Sequence, residues 1–165
     1  MTTLYDKLIC EHFSAELPLC RRERISVSER RNVYVMELKP EMECCAFQID
    51  GYIVKDKTLN KCDYVVLAKS STDAWVEVFV ELKGSDITHA IKQLKDTMTN
   101  PLFSSTRHCV RKARVVTANR IPSNAGNSVI ERAKDDFKKM GCDFRPIKSK
   151  QPDVIRQSML GCQCR

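Results

Sequence analysis

Trp75-Val76-Glu77-Val78-Phe79-Val80-Glu81-Leu82-Lys83 is the most strand-like run in this 165-residue chain. Side chains alternate across an extended backbone, so Val76, Val78, Val80 and Leu82 line one face. Trp75, Glu77, Phe79, Glu81 and Lys83 line the other. A turn-forming segment, Ser70-Ser71-Thr72-Asp73, separates this run from a second extended run over residues 62–68. If the two runs pair antiparallel through that turn, the start of one lies beside the end of the other. Asp63 then comes within reach of Glu81, and Lys83 leaves the same strand face as Glu81.

Outward from this pair, periodicity and punctuation predict the other elements. Residues 3–17 read as a helix, with Leu4, Tyr5, Leu8, Ile9, Phe13 and Leu17 at helical spacing and Pro18 as its stop. His12 and Glu16 fall inside that apolar arc, so Glu16 either reaches water at the helix end or points into a site. Residues 19–31 read as an irregular basic connection, and residues 32–39 as a strand stopped by Pro40. Residues 44–54 form another extended run, in which Asp50-Gly51 reads as a turn or bulge. After Gly84, Ser85 is a good N-cap for a helix over 86–98, whose core stripe is Ile87, Ala90, Ile91, Leu94 and Met98. A short buried strand over 113–118, a helix over 128–140 ending at Gly141 and an edge strand over 143–147 complete the order. The expected fold is an α/β class with a mixed β-sheet flanked by helices. One domain spans residues 1–165, with a core over about 3–118, a helix and edge strand over 128–147 and a polar tail over 148–165.

Composition narrows the function classes. A hydrophobic fraction of 42% and a charged fraction of 30% describe an ordinary globular chain. No apolar stretch approaches the ~18 residues of a membrane span. Asp6, Lys7 and Glu11 stand where a signal peptide needs an apolar run, which favours a cytoplasmic location. Nine cysteines form no two-pair zinc spacing. The net charge of +7 favours an acidic partner, nucleic acid above all. Its basic residues are grouped: Arg21, Arg22 and Arg24; Arg30 and Arg31; Arg107, Arg111, Lys112 and Arg114; Lys148 and Lys150. Several groups of one sign on a small domain point toward phosphate contact.

Phosphodiester hydrolysis needs a divalent cation held by carboxylates and a group that acts on water. Asp63 and Glu81 supply two carboxylates, and the Lys83 ammonium beside them can orient water and balance developing charge. Asp63, then Glu81-Leu82-Lys83 closing a hydrophobic strand, then a helix carrying Gln93, resembles the PD-(D/E)XK nuclease superfamily. The resemblance implies a restriction-endonuclease-like α-β-β-β-α-β core and a Mg²⁺-dependent endonuclease, with Mn²⁺ as a substitute metal. It implies metal ligands at Asp63, Glu81 and the Leu82 backbone carbonyl, and a catalytic role for Lys83. It further implies a carboxylate from the first helix, for which Glu16 is the candidate with Glu11 behind it, and a supporting Gln93. One departure is that Lys61-Cys62, not a Pro, precedes Asp63.

The short pattern recurs at Glu37-Leu38-Lys39, but that copy has no upstream Asp on a preceding strand and Pro40 follows it. Context therefore selects the copy at 81–83. The five glycines form no phosphate-binding loop, and His12, His89 and His108 show no metal spacing. The expected partner is nucleic acid, DNA ahead of RNA, with a homodimer or a partner protein left open. The rival expectation is a nucleic-acid-binding or interaction subunit that keeps the fold without turnover.

Overall fold

Val76, Val78 and Val80 face Val66, Ala68 and Tyr64 across a hairpin, as the alternation predicts. The two strands, β3 (Tyr64–Lys69) and β4 (Trp75–Glu81), pair antiparallel with Tyr64 opposite Val80 and Lys69 opposite Trp75. The computed structural model describes residues 2–82, 86–104, 109–118 and 125–160. Lys83, Gly84 and the expected N-cap Ser85 lie outside the described residues, as do Arg107, His108, Cys162 and Cys164.

The fold is a mixed α/β arrangement around a seven-stranded mixed sheet. Ahead of β3 stand α1 (Leu4–Cys10), β1 (Leu17–Glu29) and β2 (Asn32–Gln48). After β4 follow α2 (Ile87–Thr99), β5 (Val110–Thr117), α3 (Ala125–Lys139), β6 (Cys142–Lys148) and β7 (Pro152–Arg156). Strands β1 to β6 lie in sequence order; β1 to β4 form an antiparallel meander, and β4, β5 and β6 run parallel. The two parallel steps pass through α2 and α3, the usual crossover between parallel strands. β7 departs from this path and pairs parallel with the first half of β2.

Two apolar layers follow from the pleat. Phe47, Val65, Leu67, Phe79, Ala113 and Val115 face the helices, against Leu4 and Leu8 of α1, the Ile87-Ala90-Ile91-Leu94-Met98 stripe of α2, and Ile130, Ala133 and Phe137 of α3. On the opposite face, Val66, Val76, Val78, Val80 and Val116 pack under Ile25, Val27, Tyr34, Met36 and Leu38. The β1–β2 hairpin therefore folds back over the sheet. No helix among the described residues is long and apolar enough to cross a membrane.

Several sequence expectations are corrected. The first helix is α1 alone: Thr3 and Asp6 form its capping box, Glu11 is its C-cap, and His12 adopts a left-handed backbone (φ 65°) that stops the turn. Residues 19–31 are not a connection, because Leu17–Glu29 is a strand on the sheet edge whose inward Ile25 and Val27 alternate with the exposed Arg24, Ser26 and Ser28. Pro40 does not stop a strand. Arg22 pairs with Met42 and Arg24 with Glu37, so Glu23 faces the four residues 38–41 in a bulge where Pro40 need not donate. The runs 32–39 and 44–54 thus join as β2 up to Gln48, and Gly51 (φ 83°) makes the expected turn beyond it. Asp86, not Ser85, caps α2, its Oδ1 accepting from the His89 amide at 3.0 Å. The expected polar tail contains β7.

β7 is held by a buried charge network. Arg114 of β5 is fully buried; its Nε donates to Asp153 of β7 at 2.9 Å and its Nη2 to Asp143 of β6 at 2.9 Å. The Tyr34 hydroxyl of β2 donates to the same Asp153 oxygen at 2.8 Å. Removing one member leaves an uncompensated buried charge. Asp153→Ala should therefore cost about 3–5 kcal/mol of unfolding free energy by urea titration. A loss below ~1 kcal/mol would show that the network is not what holds β7.

Candidate functional site at the ends of β3 and β4

Asp63 immediately precedes β3 and is tied at three points. Its amide donates to the Val80 carbonyl (3.1 Å), its carbonyl accepts from Ile49 (2.8 Å), and its Oδ2 accepts from the Leu82 amide (2.7 Å). Glu81 is the last residue of β4 and only 1% exposed; Asp63 is 7% exposed. Two nearly buried carboxylates therefore terminate neighbouring antiparallel strands, as the hairpin reading requires.

The electrostatics of Asp63 are unusual for a carboxylate. Burial pushes its pKa up to about 7; the Leu82 amide opposes this, while a hydrogen bond and charge from Glu29 and the charge of Asp50 reinforce it. Burial drives the adjoining Cys62 thiol well up as well, with the Glu81 charge second. A carboxyl in an apolar setting with other acids near it favours its neutral form.

Glu29 was not anticipated, because residues 19–31 read as irregular. The signal was present: Ile25, Val27 and Glu29 recur at the strand period of two. Glu29 closes β1, and the chain returns at Asn32, whose Nδ2 donates to the Leu82 carbonyl at 2.6 Å. That carbonyl, implied as a metal ligand, is thus already engaged, although its oxygen has a second lone pair.

Glu16 does not sit on a helix. It is exposed, just ahead of β1, and accepts a hydrogen bond from the Tyr64 hydroxyl at the start of β3. Burial and the Glu16 charge together push the Tyr64 pKa up to about 12. Glu11 is an exposed helix cap. Neither comes from a helix face aimed at the site.

Gln93 does come from the inward face of α2. It is 8% exposed, and its Nε2 donates to the Lys61 carbonyl at 2.9 Å. Its Oε1 has no hydrogen-bond partner among the described residues. One turn on, the Thr97 hydroxyl accepts from the Cys62 amide at 2.8 Å. α2 thereby anchors the two residues that lead into Asp63. The duplicate motif is different in kind: Glu37 pairs on the surface with Lys39 (2.9 Å) and Arg24 (3.5 Å), which hold its carboxyl below the usual range.

Among the described residues no group of three or more His, Cys, Asp or Glu side chains is arranged to hold a metal ion. The described cysteines are free thiols. Comparison of the chain with known protein families, with curated proteins and with solved structures gave no match.

The raised Asp63 pKa has a testable consequence. Between about pH 4 and pH 7 the folded protein holds a proton at Asp63 that the unfolded chain has released. Its contribution to stability is complete below that window, is lost as pH rises through it, and levels off above. Asp63→Asn should flatten this part of the profile of urea midpoint against pH. An unchanged profile would mean that Asp63 titrates normally.

Proposed function

We propose that this chain is a metal-dependent nuclease of the PD-(D/E)XK type that hydrolyses phosphodiester bonds of nucleic acid, DNA ahead of RNA. The observation that carries the reading is the pair of nearly buried carboxylates, Asp63 and Glu81, ending adjacent antiparallel strands with Leu82-Lys83 directly beyond. Support comes also from chain order. The meander β2–β3–β4, the helix α2 and the strand β5 parallel to β4 follow the α-β-β-β-α-β sequence, with the β1–β2 fold-back as an addition.

The residues present fit a hard divalent cation. Mg²⁺ takes oxygen ligands and is typically held by one or two carboxylates while keeping several waters. Asp63, Glu81 and the Leu82 carbonyl would hold it. When bound, such an ion lowers the pKa of a bound water and neutralises charge building on the phosphate. The acid-rich setting of Asp63 is one that a cation would relieve.

The chain's own groups divide the remaining work. The Leu82 amide fixes the Asp63 carboxylate in orientation, and α2 fixes the segment before it through Gln93 and Thr97. Lys83 supplies an ammonium two residues from Glu81, where it orients the attacking water and offsets negative charge.

The direct test incubates the protein with plasmid, linear and single-stranded DNA and with RNA, in Mg²⁺, Mn²⁺ or EDTA. Glu81→Ala should weaken both metal occupancy and cleavage. Lys83→Ala should keep folding and nucleic-acid binding yet lose cleavage by roughly 10²-fold or more. Glu37→Ala and Lys39→Ala should leave turnover nearly intact. Equal behaviour of the two motifs would misplace the site. Nucleic-acid binding without cleavage by the wild type would favour a binding subunit that lacks turnover.

A further inference from the structure

Of the basic groups seen in the sequence, Arg22 donates to the Pro18 carbonyl and Cys20 Sγ, Arg107 lies outside the described residues, and the others divide into two sets. Arg21 pairs with Glu41 (2.6 Å), Arg24 with Glu37 (3.5 Å) and Arg111 with the buried Glu77 (3.0 Å). Lys112 pairs with Asp143 (3.5 Å), and Arg114 is buried against Asp143 and Asp153. These charges are balanced within the molecule and offer little to a phosphate.

The second set is Arg30, Arg31, Lys148 and Lys150. All four are exposed, and none forms an ion pair among the described residues. They lie far apart in sequence but meet in the fold, because the turn after β6 is bonded to the turn of the β1–β2 hairpin. The Lys150 amide donates to the Val33 carbonyl at 2.9 Å, and the Val33 amide donates to the Ser149 hydroxyl at 2.9 Å. The Ser149 hydroxyl in turn donates to the Arg31 carbonyl at 3.4 Å.

This double turn borders the candidate site. Asn32, next to Arg31, donates to the Leu82 carbonyl, and Glu29, next to Arg30, is hydrogen-bonded to Asp63. We infer that Arg30, Arg31, Lys148 and Lys150 form the surface that holds the phosphate backbone of a nucleic-acid strand beside Asp63 and Glu81. The inference rests on the nuclease reading for its partner. Unpaired Lys and Arg side chains displace counterions from a phosphate backbone, giving affinity without sequence readout. A surface of four cations adjoining two buried acids would draw the polyanion to the acids, which alone would repel it.

The test uses the quadruple variant Arg30→Gln, Arg31→Gln, Lys148→Gln and Lys150→Gln. The control carries the same charge change on α3: Arg132→Gln, Lys134→Gln, Lys138→Gln and Lys139→Gln. Binding of a labelled DNA duplex and a labelled single strand is followed by fluorescence anisotropy in EDTA over a salt series. Cleavage is measured separately in Mg²⁺, and circular dichroism verifies folding. The turn variant should bind more weakly on both probes and lose about one unit of salt slope per residue removed. The control should retain wild-type slope and affinity. Equal loss in turn variant and control would reduce the surface to net charge and overturn the inference, as would a turn variant that binds like wild type. If wild type cleaves in either case, the nuclease reading survives without this surface. If the turn variant alone loses binding but wild type never cleaves, the surface stands and the nuclease reading falls. A wild type that neither binds nor cleaves overturns both.

Discussion

β2 is seventeen residues long and pairs with three strands, and the rest of the fold hangs on how it bends. Its second half, from Glu43 to Gln48, pairs with β3 and extends the main sheet. Its first half, from Val35 to Lys39, pairs with β7 and lies over the face of that sheet. The change of direction falls at residues 38–41, where four residues of β2 oppose one of β1. A bulge of that size increases local twist and lets a strand leave one layer for another. Without it, the valines of β3 and β4 that face away from the helices would stand in water. With it, they are covered by Ile25, Val27, Tyr34 and Met36.

The same bend carries the hairpin turn to the ends of β3 and β4. Polar groups from three parts of the chain, at 29–32, 61–63 and 81–82, converge there. The contrast with the other buried acids is informative. Glu77 is 2% exposed and faces Arg111; Asp153 is 5% exposed and faces Arg114. Each has its countercharge built in. For Asp63 burial is the largest influence, the Leu82 amide opposes it, and Glu29 and Asp50 reinforce it. Buried charges in a stable fold are ordinarily compensated. A partly desolvated carboxyl whose pKa is raised to about 7 is a candidate for a functional role.

How far the sequence disclosed this depended on which force shaped each segment. β3, its turn and β4 were legible because both runs are rich in β-branched and apolar residues, and the turn between them has one chemistry. α2 was legible because its five apolar residues repeat at helical spacing, and its far end at Thr99 lies one residue beyond the expected 98. β1 was not, because an edge strand exposes most of its residues and Arg21, Arg22 and Arg24 mask the period set by Ile25 and Val27. Glu29 was lost with it. β7 was missed because its pairing is with residues more than a hundred positions earlier, and a five-residue strand carries too little pattern of its own. At the site, Asp63 and Glu81 followed from strand pairing, whereas Glu16 was assigned to a helix that His12 ends early.

The proposed nuclease requires Asp63 and Glu81 to share one divalent cation. The most direct measurement is an anomalous difference map from a crystal of the protein soaked in Mn²⁺ above pH 7, where Asp63 is ionised. The expected result is a peak bonded to oxygens of Asp63 and Glu81 that is lost in Asp63→Ala. Ordered Mn²⁺ elsewhere with none between these carboxylates, or a peak that persists in Asp63→Ala, would contradict it.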